Sequence, residues 1–404
     1  MRESRSALIA VASALAWNLW LPVLRDAFLR PAFAGDPGTW DFHAYYVAGA
    51  KVNAGLSPYR DHARLPAGVR DFVVDWGPGH TRFLYPPPAV VPFRLLALLP
   101  YGVARAVWLA GTVAALGLSF VVLLSWLDPA SRSRFAWAAA CGALTSSPLL
   151  ALVRTGQIDP LIGCAALLSL ASYERRWCWV SALLLSWAAA TKLTPLAFVI
   201  LFVVFYRDLG FALRFAIGCA LWVGVGLVAA PEASWSEYLT FVLPMASLGF
   251  DSYYNQSLAR LVVRITGAPK VVGLLGLASA AVLMAWLRHS LASQRPLARP
   301  TRSQGVAAFT ALACVVLATA PIAWHVTYIW LLLPLSLVWA TVVPGLSKAG
   351  TGLFIGGWVL AGLRPWSAVP LFLPNALGAV LICAVLVGWA GGAQSLVTAA
   401  ERPK

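Results

Sequence analysis

A succession of long apolar runs, most of them separated by only a few polar residues, constrains this chain more than any other feature. A helix crossing the hydrocarbon core of a bilayer needs about 20 mostly apolar residues. Candidate runs cover 7–24, 103–127, 135–153, 160–173, 177–190, 195–206, 211–230, 271–287, 305–320, 327–343, 351–363 and 376–397. Several are short. The runs at 177–190 and 195–206 can be one bent helix, because Thr191-Lys192-Leu193-Thr194-Pro195 interrupts them. Composition agrees with a lipid environment: 60% of the 404 residues are hydrophobic and 11% charged, against about 25% charged in soluble domains. The sequence therefore predicts an all-α polytopic membrane helix bundle, one integral domain over 1–404, with about 12 transmembrane helices (10–13).

The net charge of +15 raises nucleic acid as a partner. The basic residues form no single stripe, however. They sit in short clusters between apolar runs, which is the pattern of positive-inside topology, and nucleic acid is set aside. With the N-terminus in the cytoplasm and twelve alternating spans, fifteen Lys and Arg fall inside, from Arg2 and Arg5 to Arg402 and Lys404. Outside the first long loop, only Arg105, Arg154, Lys192, Arg260, Arg264, Lys270 and Arg364 fall on the other side. Both termini are then cytoplasmic. Residues 1–24 resemble a signal peptide but lack a clear A-x-A cleavage site, so they read as an uncleaved first helix.

This topology leaves two large extracytoplasmic loops, 25–102 and 231–270. The first holds a short amphipathic stretch at 42–54 and the run Tyr85-Pro86-Pro87-Pro88. Ten of the fifteen acidic residues fall on this face. Functional residues concentrate on loops held by a rigid scaffold, which places any chemistry there. The six cysteines lie in or at the ends of apolar runs without metal-ligand spacing, and no metal or cofactor is predicted. No Walker loop, dinucleotide fingerprint, H-E-x-x-H or G-x-S-x-G occurs.

Six places can carry chemistry, each with a plainer structural reading beside it. Asp41, in Trp40-Asp41-Phe42-His43, is a candidate general base or a helix N-cap. His325, in Ala323-Trp324-His325, can meet a carboxylate or phosphate, or be an interfacial histidine wetted by headgroups. Lys192, between two short apolar runs, can hold a lipid-linked phosphate or snorkel to the surface. Gln157 and Asp159 follow Arg154 in an outer turn that Asp-Pro turn chemistry also explains. Asn255-Gln256-Ser257 is a candidate contact, an ordinary loop or an N-glycosylation acceptor. Arg264, one helical turn beyond Arg260, can meet phosphate oxygens or simply sit on a basic interfacial helix.

The order of motifs adds a resemblance. It runs Asp41-Phe42-His43-Ala44-Tyr45-Tyr46, Gly55-Leu56-Ser57-Pro58-Tyr59, Phe83-Leu84-Tyr85-Pro86-Pro87-Pro88-Ala89 and Leu99-Pro100-Tyr101-Gly102 with Trp108. Gly156-Gln157-Ile158-Asp159, Lys192-Leu193-Thr194-Pro195, Asn255-Gln256-Ser257 with Arg264, and Trp324-His325 follow. From about 36 to 330 the chain resembles glycosyltransferase family 87, which includes polyprenyl-phosphate-mannose-dependent α-mannosyltransferases. The resemblance implies a GT-C fold in the bacterial cell membrane, with its active site on the extracytoplasmic face. Asp41 matches the acidic base of the first outer loop, and His325 a histidine near the active site, so both are expected to be catalytic, with His325 orienting the acceptor or the leaving phosphate. The expected reaction moves a sugar, mannose on the family's pattern, from a polyprenyl-phosphate donor to a hydroxyl of an envelope glycolipid or glycan, with inversion. Lys192 and Arg264 would hold the donor phosphate; His43, Tyr85, Gln157, Asp159, Asn255 and Gln256 would bind substrate. No metal and no protein partner are expected. A longer insert between Tyr59 and Tyr85 sets the chain apart and leaves the acceptor open. A transporter or flippase of lipid-linked glycans is the alternative. It would place ionisable residues along the spans, where this chain has few.

Overall fold

A computed structural model describes residues 40–59, 83–247, 252, 254–266, 269–292, 300–365, 369 and 372–400. The first expected span, 7–24, lies outside the described residues. All eleven others fall on helical segments. Helix α1 spans Trp40–Asn53, and a 3-10 turn at Pro87–Val90 leads into α2, Val91–Leu96. Then follow α3 (Tyr101–Trp126), α4 (Pro129–Thr145), α5 (Ser147–Thr155), α6 (Asp159–Glu174) and α7 (Cys178–Thr191). After the 3-10 turn Thr194–Phe198 and the π turn Leu201–Phe205 comes α8, Leu209–Ala229. Short turns at Ala233–Glu237, Tyr238–Val242 and Leu243–Ser247 lead to α9 (Leu258–Thr266), α10 (Pro269–Ala292), α11 (Arg302–Thr319), the 3-10 segment His325–Leu331, α12 (Leu332–Thr341), a 3-10 turn at Val343–Gly345, α13 (Lys348–Gly362) and α14 (Pro374–Ala400). No strand occurs among the described residues.

Local chemistry sets the boundaries. Asp128 accepts a hydrogen bond from Ser131 N, and Pro129 occupies the first turn of α4, where a missing N–H does no harm. Ser146, Asp208, Thr301 and Ser347 cap α5, α8, α11 and α13 in the same way. Gly156 closes α5 with φ 70°, a left-handed conformation that glycine adopts without steric penalty. Lys192 takes an extended conformation, φ −146°, and ends α7 ahead of Pro195.

Five helices among the described residues are long and apolar enough to cross a membrane, or six if α4 and α5, bent by 61°, form one span. The remaining apolar segments, among them Cys178–Thr191, Thr194–Phe205 and His325–Thr341, are shorter. Their shortness has a physical reason. They are interrupted where polar residues enter the bundle, and irregular backbone at membrane depth is tolerated where protein surrounds it. Helices α6 and α11 are buried on nearly all sides and rich in small residues, including Gly163, Ala165, Ala166, Ala307, Ala308 and Ala311. Close backbone approach of this kind drives helix association in lipid. Helices α3, α8 and α10 instead turn Val113, Leu118, Leu221, Val228, Leu274 and Val282 outward. That is a lipid-facing surface.

Helix α1 differs from the expected surface helix. Phe42, His43, Ala44, Tyr45, Val47, Ala48, Lys51 and Val52 are all buried, so it is enclosed on several sides. It packs on α2, where Gly49 lies so close to the Phe93 carbonyl that a Cβ would stand 2.1 Å from its oxygen. Tyr45 packs tilted on Phe93 with ring centroids 4.7 Å apart, and Phe42 stacks on Trp108 at 5.9 Å.

The polar side chains of the bundle gather at two ends. One end gathers Glu174, which accepts a hydrogen bond from Tyr206, and Asp208, which accepts one from Tyr173. The other gathers α1, the turn after α5, the end of α7, and residues 254–257 and 321–327. The two loops assigned to one face meet there, since Ser57 donates to Glu237.

Candidate active site

The turn between α5 and α6 is the centre of this end. Two indoles pin it: Trp108 Nε1 donates to Gly156 O at 2.7 Å, and Trp330 Nε1 to Asp159 O at 2.8 Å. Because its backbone is held, Gln157 and Asp159 project reproducibly.

Asp159 is fully buried, and its Oδ1 lies 2.7 Å from Lys192 Nζ. Among the described residues its Oδ2 has no hydrogen-bond partner. Lys192 keeps 14% of its side chain exposed and also donates to Thr327 Oγ1 at 3.5 Å. An ammonium carries three donors, so among the described residues one remains for a ligand. The ammonium stands 5.8 Å from the ring centre of Trp330. The lysine therefore does not snorkel. It points to a buried carboxylate at a helix break, with a partly open approach.

On the other side of Gln157, Tyr45 Oη donates to Gln157 Oε1 at 2.9 Å, and Tyr85 Oη lies 3.2 Å from the same oxygen. The two phenolic oxygens are 2.9 Å apart. Burial raises both hydroxyl pKa values well above the ordinary range, and the charges of Asp41 and Asp159 push the same way. Asp41 lies in the first turn of α1, one turn before Tyr45, and is partly exposed. Asp41, Tyr45, Tyr85, Gln157, Asp159 and Lys192 thus lie along one polar track. His43, next to Asp41, is buried and stands edge-on to Tyr101, with centroids 6.0 Å apart.

Beside the Lys192 end lies a groove of about 250 Å³ lined by Leu193, Leu196, Gly276, Leu277, Val316 and Pro321 among others. It begins one residue from Lys192. Arg260 and Arg264 on α9 part company: Arg260 is buried and Arg264 exposed.

His325 belongs to a second cluster. Its Nδ1 is 3.2 Å from Asn375 Oδ1, and its Nε2 is 2.9 Å from Ser147 Oγ. Asn375 Nδ2 reaches the carbonyls of Ala361 and Leu363 at 2.7 and 2.9 Å, so its Oδ1 must accept. His325 Nδ1 therefore carries a proton, and in the neutral ring Ser147 donates to Nε2. The imidazole is clamped inside protein and is not an interfacial histidine. Asn255, Gln256 and Ser257 are also fully buried. Asn255 accepts from Ala323 N at 3.1 Å and donates to Pro321 O at 3.1 Å; Gln256 N donates to Ala323 O at 2.8 Å. Ser257 Oγ lies 3.0 Å from Ala318 O. These contacts stitch 254–257 to the segment that carries His325, and they leave no room for a glycan on Asn255.

An all-helical membrane bundle that gathers a carboxylate, a cation and an apolar groove at one end has the parts of a membrane-embedded sugar transferase. The family model for glycosyltransferase family 87 matches residues 83–303. The chain is 32% identical to a polyprenol-phosphate-mannose-dependent α-(1-2)-phosphatidylinositol pentamannoside mannosyltransferase of Mycobacterium tuberculosis (strain CDC 1551 / Oshkosh), over 90% of this chain and 79% of the relative. It is 29% identical to the protein of the same description from Mycolicibacterium smegmatis, over 81% and 75%. A phosphatidylinositol mannoside mannosyltransferase of that organism matches at 27%, over 69% and 67%. No solved structure matches significantly. The chain belongs to glycosyltransferase family 87. It is a multi-pass membrane glycosyltransferase, and the transporter reading is not favoured.

Sequence reasoning did not find Tyr45, Thr327, Ser147 or Asn375 as partners of the site. It singled out Asp159 and Lys192 separately without pairing them. The unexploited signal was that each is a polar or ionisable residue within an otherwise apolar stretch, where a partner is required.

Proposed function

We propose that this enzyme transfers mannose from a polyprenyl-phosphate donor to a hydroxyl of an envelope glycolipid, at the extracytoplasmic face of the bacterial inner membrane. The observation that carries the reading is Lys192: a cation with a spare donor, at a helix break, beside an apolar groove. An anionic headgroup on a prenyl chain has that shape and charge. The chain enters the groove, and the phosphate meets Lys192, with exposed Arg264 meeting it from the rim. The acceptor hydroxyl attacks the anomeric carbon as the carbon–oxygen bond to phosphate breaks, with inversion. Asp41 takes the hydroxyl proton, and the leaving phosphate keeps the bond electrons beside Lys192. The phosphate is already a good leaving group, so this displacement needs no metal. Thr327, two residues after the clamped His325, accepts from Lys192 and helps to hold its ammonium. Phosphatidylinositol mannosides, the substrates that the relatives' names state, are the first acceptors to try.

Purified protein in detergent, given polyprenyl-phosphate mannose and a phosphatidylinositol mannoside, should release polyprenyl phosphate and a product one hexose heavier. Donor left intact across a panel of acceptors would end the reading, since detergent offers no two sides for transport. The face is tested separately with Ala54→Cys and Ala130→Cys, both at exposed positions at opposite ends of the bundle. An impermeant thiol reagent added to whole cells should label the first and spare the second.

A further inference from the structure

Gln157 is held in a way that its place in a turn does not require. Three polar atoms meet: Tyr45 Oη, Tyr85 Oη and Gln157 Oε1, all within 2.9–3.2 Å of one another. The two phenols bring two hydrogens. Both are used inside the triad, on the amide oxygen and the neighbouring phenol, so neither hydroxyl has a proton to offer outward. The amide oxygen is thereby fixed inward, and the Nε2 amide group must face away. That nitrogen has no hydrogen-bond partner among the described residues, and Gln157 keeps 6% of its surface exposed. A neutral double donor is thus presented on a pinned turn. Asp41 lies one helical turn before Tyr45, and Asp159, two residues after Gln157, is paired with Lys192.

We infer that Gln157 reads a hydroxyl of the transferred hexose and sets the enzyme's choice of donor sugar, with Tyr45 and Tyr85 as positioning residues that fix its amide. The inference rests on the proposed reaction. If the phosphate sits at Lys192 and the base at Asp41, the sugar ring bridges them and passes the turn. The surrounding carboxylates accept hydrogen bonds and cannot donate, so Gln157 supplies the donor that a hydroxyl oxygen needs. A neutral amide suits a hydroxyl, whereas the phosphate already has the ammonium.

The test uses the full-length enzyme and a set of mono-deoxy analogues of the polyprenyl-phosphate mannose donor. Wild type should transfer one analogue about tenfold less efficiently in kcat/KM than the parent, the value of one ordinary hydrogen bond. Gln157→Glu keeps oxygens for both tyrosines but loses the amide donors. It should lower kcat/KM with the parent donor and bring that analogue level with it, while the acceptor KM stays unchanged. Tyr85→Phe leaves Gln157 in place but loosens it, and should narrow the same ratio; it also serves if Gln157→Glu does not fold. If Gln157→Glu weakens parent and every analogue equally, the amide faces the phosphate and the inference is overturned. An unchanged ratio in Tyr85→Phe overturns it as well. Both results leave mannosyl transfer standing. Failure of wild type to consume the donor at all would overturn the reaction and the inference together.

Discussion

Two polar clusters lie at the same end of the bundle and treat their hydrogen-bonding groups in opposite ways. The track from Asp41 through Tyr45, Tyr85 and Gln157 to Asp159 and Lys192 leaves capacity over: a carboxylate oxygen, an amide nitrogen and a share of an ammonium. The knot of Ser147, Asn255, Ser257, His325 and Asn375 directs its side chains at one another or at backbone. In sequence the two sets look alike, as short polar motifs between apolar runs. The difference teaches that a polar motif in a membrane bundle can be chemistry or masonry, and that following where its hydrogen bonds go helps to tell the two apart.

The largest effect that would sharpen this contrast comes from Asp41→Asn. It keeps the side chain's size and removes its basicity, so transfer should fall roughly 10²–10⁴-fold. The melting temperature should hold. Near-wild-type transfer would place the base elsewhere on the track.

Lys192→Met attacks the one point where the open track is also structural. It strands a fully buried carboxylate, and breaking a buried pair in this way costs about 3–5 kcal/mol. Adding Asp159→Leu should restore much of that stability without restoring donor binding. If the double variant binds donor like wild type, the cation is masonry and the contrast fails at its centre.

Asn375→Ala belongs to the closed knot. It leaves His325 Nδ1 and the carbonyls of Ala361 and Leu363 short of a partner and should lower stability by about 1–3 kcal/mol. Transfer per folded molecule should change less than in any variant of the open track, as read by chemical denaturation beside kinetics. A larger loss in transfer than in stability would move His325 into the chemistry.

Gly49→Ala gives an effect of the same order or smaller. The new methyl meets the backbone of Phe93, which can move only with α2, and overpacking of this kind costs about 1–3 kcal/mol. Donor and acceptor KM should shift together, because α1 carries Asp41.

Much of the architecture was legible, because apolar runs report lipid directly. The span at 211–230 became α8, Leu209–Ala229, nearly to the residue. The break at Lys192 was visible from a lysine and a proline inside an apolar run. What the sequence hid was partnership. Tyr45 and Gln157 are 112 positions apart, Trp330 and Asp159 171, Ser147 and His325 178. Nothing local marks such pairs, since packing of distant helices decides them. The same cause misplaced α1: its aromatic spacing suited a membrane surface, but Phe93 and Trp108 offered a better face.

The Lys192–Asp159 pair also bears on how the chain is made. The two residues lie 33 positions apart, one opening α6 and the other following α7. A ribosome adding roughly 5–20 residues per second leaves the carboxylate without its counter-charge for about 2–7 s. Either charge alone at membrane depth is expensive, so α6 and α7 are best released into lipid as one hairpin with its charges already joined. The chemistry of the finished site would then dictate the order in which the insertion machinery lets go of its helices.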